Sequence, residues 1–188
     1  MGKEEFVQRL DSIFIISQDK IFSGGKTINA FAGLQTYYNQ GNQPCLHISW
    51  LFNQAGRYDL TQKWVRAILD EFYGTHGYGY GQDEDQGQLG AWYVISSLGM
   101  FDVKGLADVD PVFSLGSTLF DKVTIRLNKD YYPGDTFVIE AHNNDKQHVY
   151  VKDYVWNGKE LTSPEIRFKD VVSGGQLSVE MSDQPVVK

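Results

Sequence analysis

Three consecutive acids sit between two glycines in Gly81-Gln82-Asp83-Glu84-Asp85-Gln86-Gly87, just ahead of the aromatic helical pattern Ala91-Trp92-Tyr93. Adjacent carboxylates repel one another, so a fold gains little by clustering them. A site that activates water or holds a hard cation gains a great deal. The flanking glycines let backbone approach a ligand closely. Asp85 also has a plainer reading: it can cap the helix that follows, with Gln88 three residues on completing a capping box. The residues themselves leave both roles open. Adjacent side chains point apart, so Glu84 can face either way.

Other chemistry is sparse. His47 can bond a hydroxyl or serve structure alone. His76, His142 and His148 lack metal-ligand spacing with one another, which argues against zinc. Trp50, Trp64 and Trp92 fit helical stripes, and core packing is the default for each; Trp92, about two turns past the acids, is the best candidate of the three to stack on a ligand ring. Cys45 is the single cysteine, so no intrachain disulfide can form. No phosphate-binding loop, dinucleotide fingerprint or Ser–His–Asp pattern occurs.

The elements that must position these residues change character along the chain. With 188 residues, 41% apolar and 14% aromatic, one substantial core or two small ones can be built. Helices are expected over 4–16, 44–54, 59–73 and 86–98. Phe6, Leu10, Ile13 and Phe14 stripe the first. Asp59 with Gln62 reads as a capping box for the third, whose stripe is Trp64, Val65, Ile68, Leu69 and Phe72, with Lys63, Arg66 and Asp70 left for solvent or polar partners. Gly99 suits the end of the fourth. After about Pro111 the period becomes two. Strands are expected over 122–127, 136–141, 149–156 and 176–181, with a turn at Pro133-Gly134 and the strong hairpin signal Asn157-Gly158. The expected fold class is α+β: a helical part over 1–108 and a small antiparallel β unit over 109–188.

The net charge of −7 disfavours nucleic acid and anionic membrane surfaces as partners. No apolar run approaches the ~20 residues that span a bilayer. The polar start carries no export signal. Four helices ending against a β unit, and acids without an acid partner elsewhere in the helical half, suggest that something upstream is missing.

Several motifs occur in one order: Gly41-Asn42-Gln43-Pro44, Leu51-Phe52-Asn53 with Ala55-Gly56, Thr61-Gln62-Lys63 with Val65-Arg66, Asp83-Glu84-Asp85-Gln86-Gly87-Gln88 with Ala91-Trp92-Tyr93, and Leu119-Phe120-Asp121-Lys122-Val123-Thr124-Ile125. In that order they resemble the C-terminal part of a glycoside hydrolase family 92 α-mannosidase. The resemblance implies helices from the end of an (α/α)6 barrel, calcium dependence, and hydrolysis of terminal α-mannose with inversion. It implies Asp85 and Asp83 as the base pair acting on water, and Asn42, Gln43 and Asp85 as calcium ligands. His47, Trp92 and Glu84 would meet the mannose-containing glycan. The general acid would lie upstream, so the chain alone is expected to be inactive, and its uncovered helices to self-associate or await the missing barrel segment. Full-length members would be secreted or periplasmic. The family commonly has Glu where Gln43 stands; losing that charge counts against α-1,2 specificity and leaves α-1,3, α-1,4 and mannosyl-phosphate substrates open. The competing reading is a non-catalytic carbohydrate-binding or structural module.

Overall fold

The computed structural model describes residues 1–24, 37–75, 79, 84 and 86–187. Asp83, Asp85 and His76 lie outside the described residues. The chain divides into two compact units, Met1–Ile95 and Ser96–Lys188.

The first unit is built from helices α1 (Lys3–Gln18), α2 (Leu51–Gln54) and α3 (Tyr58–Glu71), and from most of α4 (Gln88–Ser97). On α1, Val7, Leu10, Phe14 and Ser17 point inward at helical spacing. Phe14 is fully buried and stacks on Trp64 of α3, with ring centroids 5.5 Å apart. Tyr38 and Phe52 close the same aromatic cluster at 4.5 and 5.7 Å from Phe14. Two polar bonds fix α1 against α3: Trp64 Nε1 donates to Asp11 Oδ1 at 2.7 Å, and Gln18 Nε2 donates to Glu71 Oε1 at 2.6 Å.

Two local expectations give way here. The helix expected over 44–54 breaks into the 3₁₀ turns Gln43–Cys45 and Ile48–Trp50, followed by the short α2. Pro44 has no N–H for a continuous ladder, which favours a tight first turn. The capping box at Asp59 does not form: α3 is preceded by Arg57, and no side chain caps it. Arg57 instead grips Asp59 with two bonds, Nε to Oδ1 at 2.8 Å and Nη2 to Oδ2 at 2.7 Å. The same helix buries Gln62 and Arg66 on one face, so Arg66 belongs to the interior rather than to solvent.

The second unit carries two sheets. Strands β1 (Met100–Phe101), β2 (Val112–Leu115) and β7 (Glu165–Arg167) form one in the order β1-β2-β7. The other holds β3 (Lys122–Arg126), β4 (Thr136–His142), β5 (Tyr150–Trp156), β6 (Lys159–Glu160) and β8 (Gly175–Ser182) in the order β3-β4-β8-β5-β6. Its alternation is clean: Phe137, Ile139 and Ala141 of β4 and Leu177, Val179 and Met181 of β8 are all buried. The unit is not purely antiparallel, because β4 and β8 run parallel from Phe137↔Gly175 to His142↔Glu180. Helix α5 (Phe168–Ser173) returns the chain to start β8 beside β4, the crossover that a parallel pair requires. A register shift between Val151 and Asp153 turns Tyr154 inward, where its hydroxyl donates to Gly116 O at 3.1 Å.

The turns follow their residues. Asn157 and Gly158 take φ of 47° and 81°, as a tight hairpin needs, and Gly99 ends α4 at φ 73°. A Cβ on Gly134 would lie 2.4 Å from the Ser173 carbonyl carbon, so only glycine fits that approach. Between β4 and β5, Asp145 Oδ1 faces His148 Nδ1 at 2.8 Å and accepts the N–H groups of Gln147 and His148 at 2.7 and 2.9 Å. The His148 ring, then the two amides, hold this carboxyl down at about 2. A depressed carboxyl stabilises the fold above its unfolded titration and loses that contribution as pH falls through its folded one. Acid titration of stability should therefore show an Asp145 component lost between about pH 4 and pH 2. In Asp145→Asn that component should be absent from the pH dependence of the unfolding midpoint.

Candidate functional site

Two stretches carry the expected site residues within the first unit: 38–47, and the residues around the start of α4. A polar relay, buried at Tyr38 and Gln40 and half-buried at Tyr73, joins them. The Tyr38 hydroxyl donates to Gln40 Oε1. Gln40 Nε2 donates to the Tyr73 hydroxyl at 2.9 Å, and that hydroxyl donates to Leu89 O of α4 at 3.1 Å. Gln40 is fully buried, so both ends of its amide need partners, and both have them. Burial pushes the Tyr73 phenol well up, with the nearby Glu84 charge adding to the effect, and burial does the same to Tyr38. Both phenols stay neutral and able to donate across the working range of an enzyme.

A second link runs alongside. Trp92 is 2% exposed, its Nε1 donates to Leu46 O at 2.8 Å, and its ring stacks on Tyr73 with centroids 5.8 Å apart and planes 11° apart. The indole that the sequence offers for sugar stacking thus has one face against Tyr73. Any part it takes in sugar binding would be indirect, through the segment it holds.

Glu84 has a definite task. Its Oε1 accepts the Leu89 N–H at 3.1 Å and its Oε2 accepts the Gly90 N–H at 2.6 Å. Those are N–H groups of the first turn of α4, which have no partner within the helix. The Ala91 N–H bonds Gly87 O at 3.0 Å, which makes Gly87 the residue flanking the helix. Gln88 is then the first helical residue, and its side chain bonds Gln86 Oε1 at 3.4 Å. Gln88 therefore does not stand at the third helical position that a box opened by Asp85 requires.

On the other stretch, Asn42 precedes the turn Gln43–Cys45 with extended backbone and makes no side-chain cap bond. Asn42 and His47 are exposed, and Gln43 is half-buried. The amide oxygens of Asn42 and Gln43 are of the donor type that a hard cation such as calcium takes. No group of three or more His, Cys, Asp or Glu able to hold a metal occurs among the described residues.

Tyr73, Gln40 and Tyr38 were not singled out from sequence. Tyr73 reads there as the last residue of the helix expected over 59–73, outside its apolar stripe. The one available signal is that Gln40 lies directly before Gly41-Asn42, where a buried amide could anchor the turn.

The profile of the glycosyl hydrolase family 92 catalytic domain matches residues 1–183, and the chain belongs to this family. A family GH92 α-mannosidase of Bacteroides thetaiotaomicron superposes with a TM-score of 0.78 at 29% identity, covering 100% of this chain and 22% of that one. A family GH92 inverting mannosidase of the same organism gives 0.70 at 30% identity, covering 93% of this chain and 25% of that one. An uncharacterised secreted glycosidase of Arthroderma benhamiae is 25% identical over 146 residues, 77% of this chain and 18% of its own length. The chain thus spans about a quarter or less of these relatives. No helix among the described residues is long and apolar enough to cross a membrane.

The relay can be tested directly. Tyr73→Phe strands the Gln40 amide and should cost about 1–3 kcal/mol in chemical denaturation. In a double-mutant cycle with Gln40→Leu, the two losses should fall short of additivity by about 0.5–3 kcal/mol. Additive losses would mean that the two side chains do not act together.

Proposed function

We propose that this chain supplies the base side of an α-mannosidase site that hydrolyses terminal α-linked mannose with inversion. The observation that carries the reading is Glu84: it accepts the Leu89 and Gly90 N–H groups in the first turn of α4, so that turn has a carboxylate partner without Asp85. This weakens the plain capping role for Asp85 and favours the chemical one. Membership of a family with α-mannosidases among its solved structures supports the same reading.

Inverting hydrolysis needs a base on one side of the sugar and an acid on the other, their carboxyls roughly 6.5–9.5 Å apart to admit water. In this reading Asp85 takes the water's proton, and Asp83 beside it raises the proton affinity of the pair, which suits a base near neutral pH. His47 bonds a sugar hydroxyl. Asn42, Gln43 and Asp85 would hold calcium, which when bound supplies a fixed positive charge to orient sugar hydroxyls. Gln43 brings a neutral amide to that neighbourhood, which leaves the linkage open. Trp92 fixes the 42–47 segment by gripping Leu46 O. A mannose-containing glycan is the proposed ligand, and one solved relative is a complex with mannoimidazole. The general acid is placed outside these 188 residues, as are the barrel helices that would cover α1, where Ile15 and Ile16 are about half exposed.

In a full-length family 92 context carrying this chain, Asp85→Asn should lower kcat by ~10²–10⁴ with KM moving less and the melting temperature nearly unchanged. Asp83→Asn should show a smaller loss. A silent Asp85→Asn together with an Asp85→Ala that loses ~0.5–2 kcal/mol of stability would return Asp85 to a cap. The isolated chain should release no measurable mannose from an α-mannoside. Robust release would mean that an acid within it, or from a second copy, completes the site.

A further inference from the structure

We infer that Glu84, the middle acid of the three, is a positioning residue: its carboxylate straps the loop to the first turn of α4 and so sets where its two acidic neighbours can lie. The inference deepens the base-side reading above and rests on it for its catalytic half; its structural half stands alone.

Both Glu84 oxygens accept from the helix, one from Leu89 N–H and the other from Gly90 N–H, which ties the carboxylate to the scaffold. A carboxylate at a helix N-terminus gains from the unpaired donors and from the helix dipole together, which makes this a strong tether for a loop residue. The receiving turn is itself held. Leu89 is fully buried, its carbonyl accepts the Tyr73 hydroxyl, and Trp92 one turn on is stacked against Tyr73 and bonded to Leu46 O. The strap therefore ends on a fixed body rather than on a free helix end. Asp83 and Asp85 are each one peptide bond from Glu84, so anchoring Glu84 restricts both. A run of three acids then divides its labour: the middle one gives up its charge to the scaffold, and the outer two are left for chemistry.

The test uses two variants and two readouts. By NMR on the 188-residue chain, Glu84→Ala should speed amide hydrogen exchange at Leu89 and Gly90 by about tenfold, as loss of a capping bond does, while the core amide of Ile68 is unchanged. Glu84→Gln keeps one acceptor oxygen and should protect one of the two amides. In the full-length context, Glu84→Ala should lower kcat with little change in KM, and Glu84→Gln should recover most of the loss. Unchanged exchange at both amides in Glu84→Ala overturns the strap. A Glu84→Gln variant that protects an amide yet is as inactive as Glu84→Ala overturns the positioning role and makes Glu84 a participant in the chemistry. An inactive wild type under the same assay counts against the mannosidase reading instead, and the exchange result still decides the strap.

Discussion

The hydroxyl of Tyr73 holds together three stretches distant in sequence. It accepts from Gln40, next to the turn that opens with Asn42; it donates to Leu89, in the first turn of α4; and its ring carries Trp92, which reaches Leu46. A buried polar relay of this kind rigidifies when every member is satisfied and becomes a liability when one is not. Here donors and acceptors alternate without a gap from Tyr38 to Leu89 O, and burial keeps both phenols protonated. The aromatic cluster around Phe14 and Trp64 supplies the dry surroundings in which those bonds are stronger than in water.

From that constraint a division of labour follows among residues close in sequence. Glu84 serves the helix. Trp92, offered by the sequence as a sugar platform, serves the segment carrying Asn42, Gln43 and His47. On the proposed reading, Asn42 and His47 meet metal and sugar from exposed positions, while Gln40 and Trp92, which help to fix that segment, are buried and hydrogen-bonded. Such an arrangement is what a base side of a hydrolase requires, since a misplacement of about 1 Å can cost two orders of magnitude in rate.

Much of the fold could be read from pattern. The spacing of Leu10 and Phe14, the stripe through Trp64, Ile68 and Leu69, the alternation around Phe137 and Ile139, and Asn157-Gly158 each have one local solution, and the chain adopts it. The failures are places where a tertiary partner outbid a local preference. Asp59 has the type and spacing of a cap, but the Arg57 guanidinium offers two bonds where a cap offers one. The 44–54 stretch has an apolar helical face, yet Pro44 and the pull of Trp92 on Leu46 O leave it in short turns. The parallel β4–β8 pair is invisible to a period-two pattern, because alternation reads the same whichever way a neighbour runs. Of the candidate site, the acid run stands out by residue type, whereas Asn42 and Gln43 enter only through the family resemblance. The assignment of Glu84 to the helix was not, since Asp85 and Gln88 fit a capping box on spacing alone.

The central claim is that the acids flanking Glu84 face a water beneath a bound mannose while Glu84 itself holds α4. The most direct measurement is a crystal structure of a full-length family 92 protein carrying this chain, with mannoimidazole bound. The account predicts an ordered water within hydrogen-bond reach of the Asp85 carboxyl, on the face of the ring opposite the general acid, with the two carboxyls roughly 6.5–9.5 Å apart. Asp83 and Asp85 turned to bulk solvent with no such water, or two carboxyls only ~5 Å apart across the ring, would contradict it.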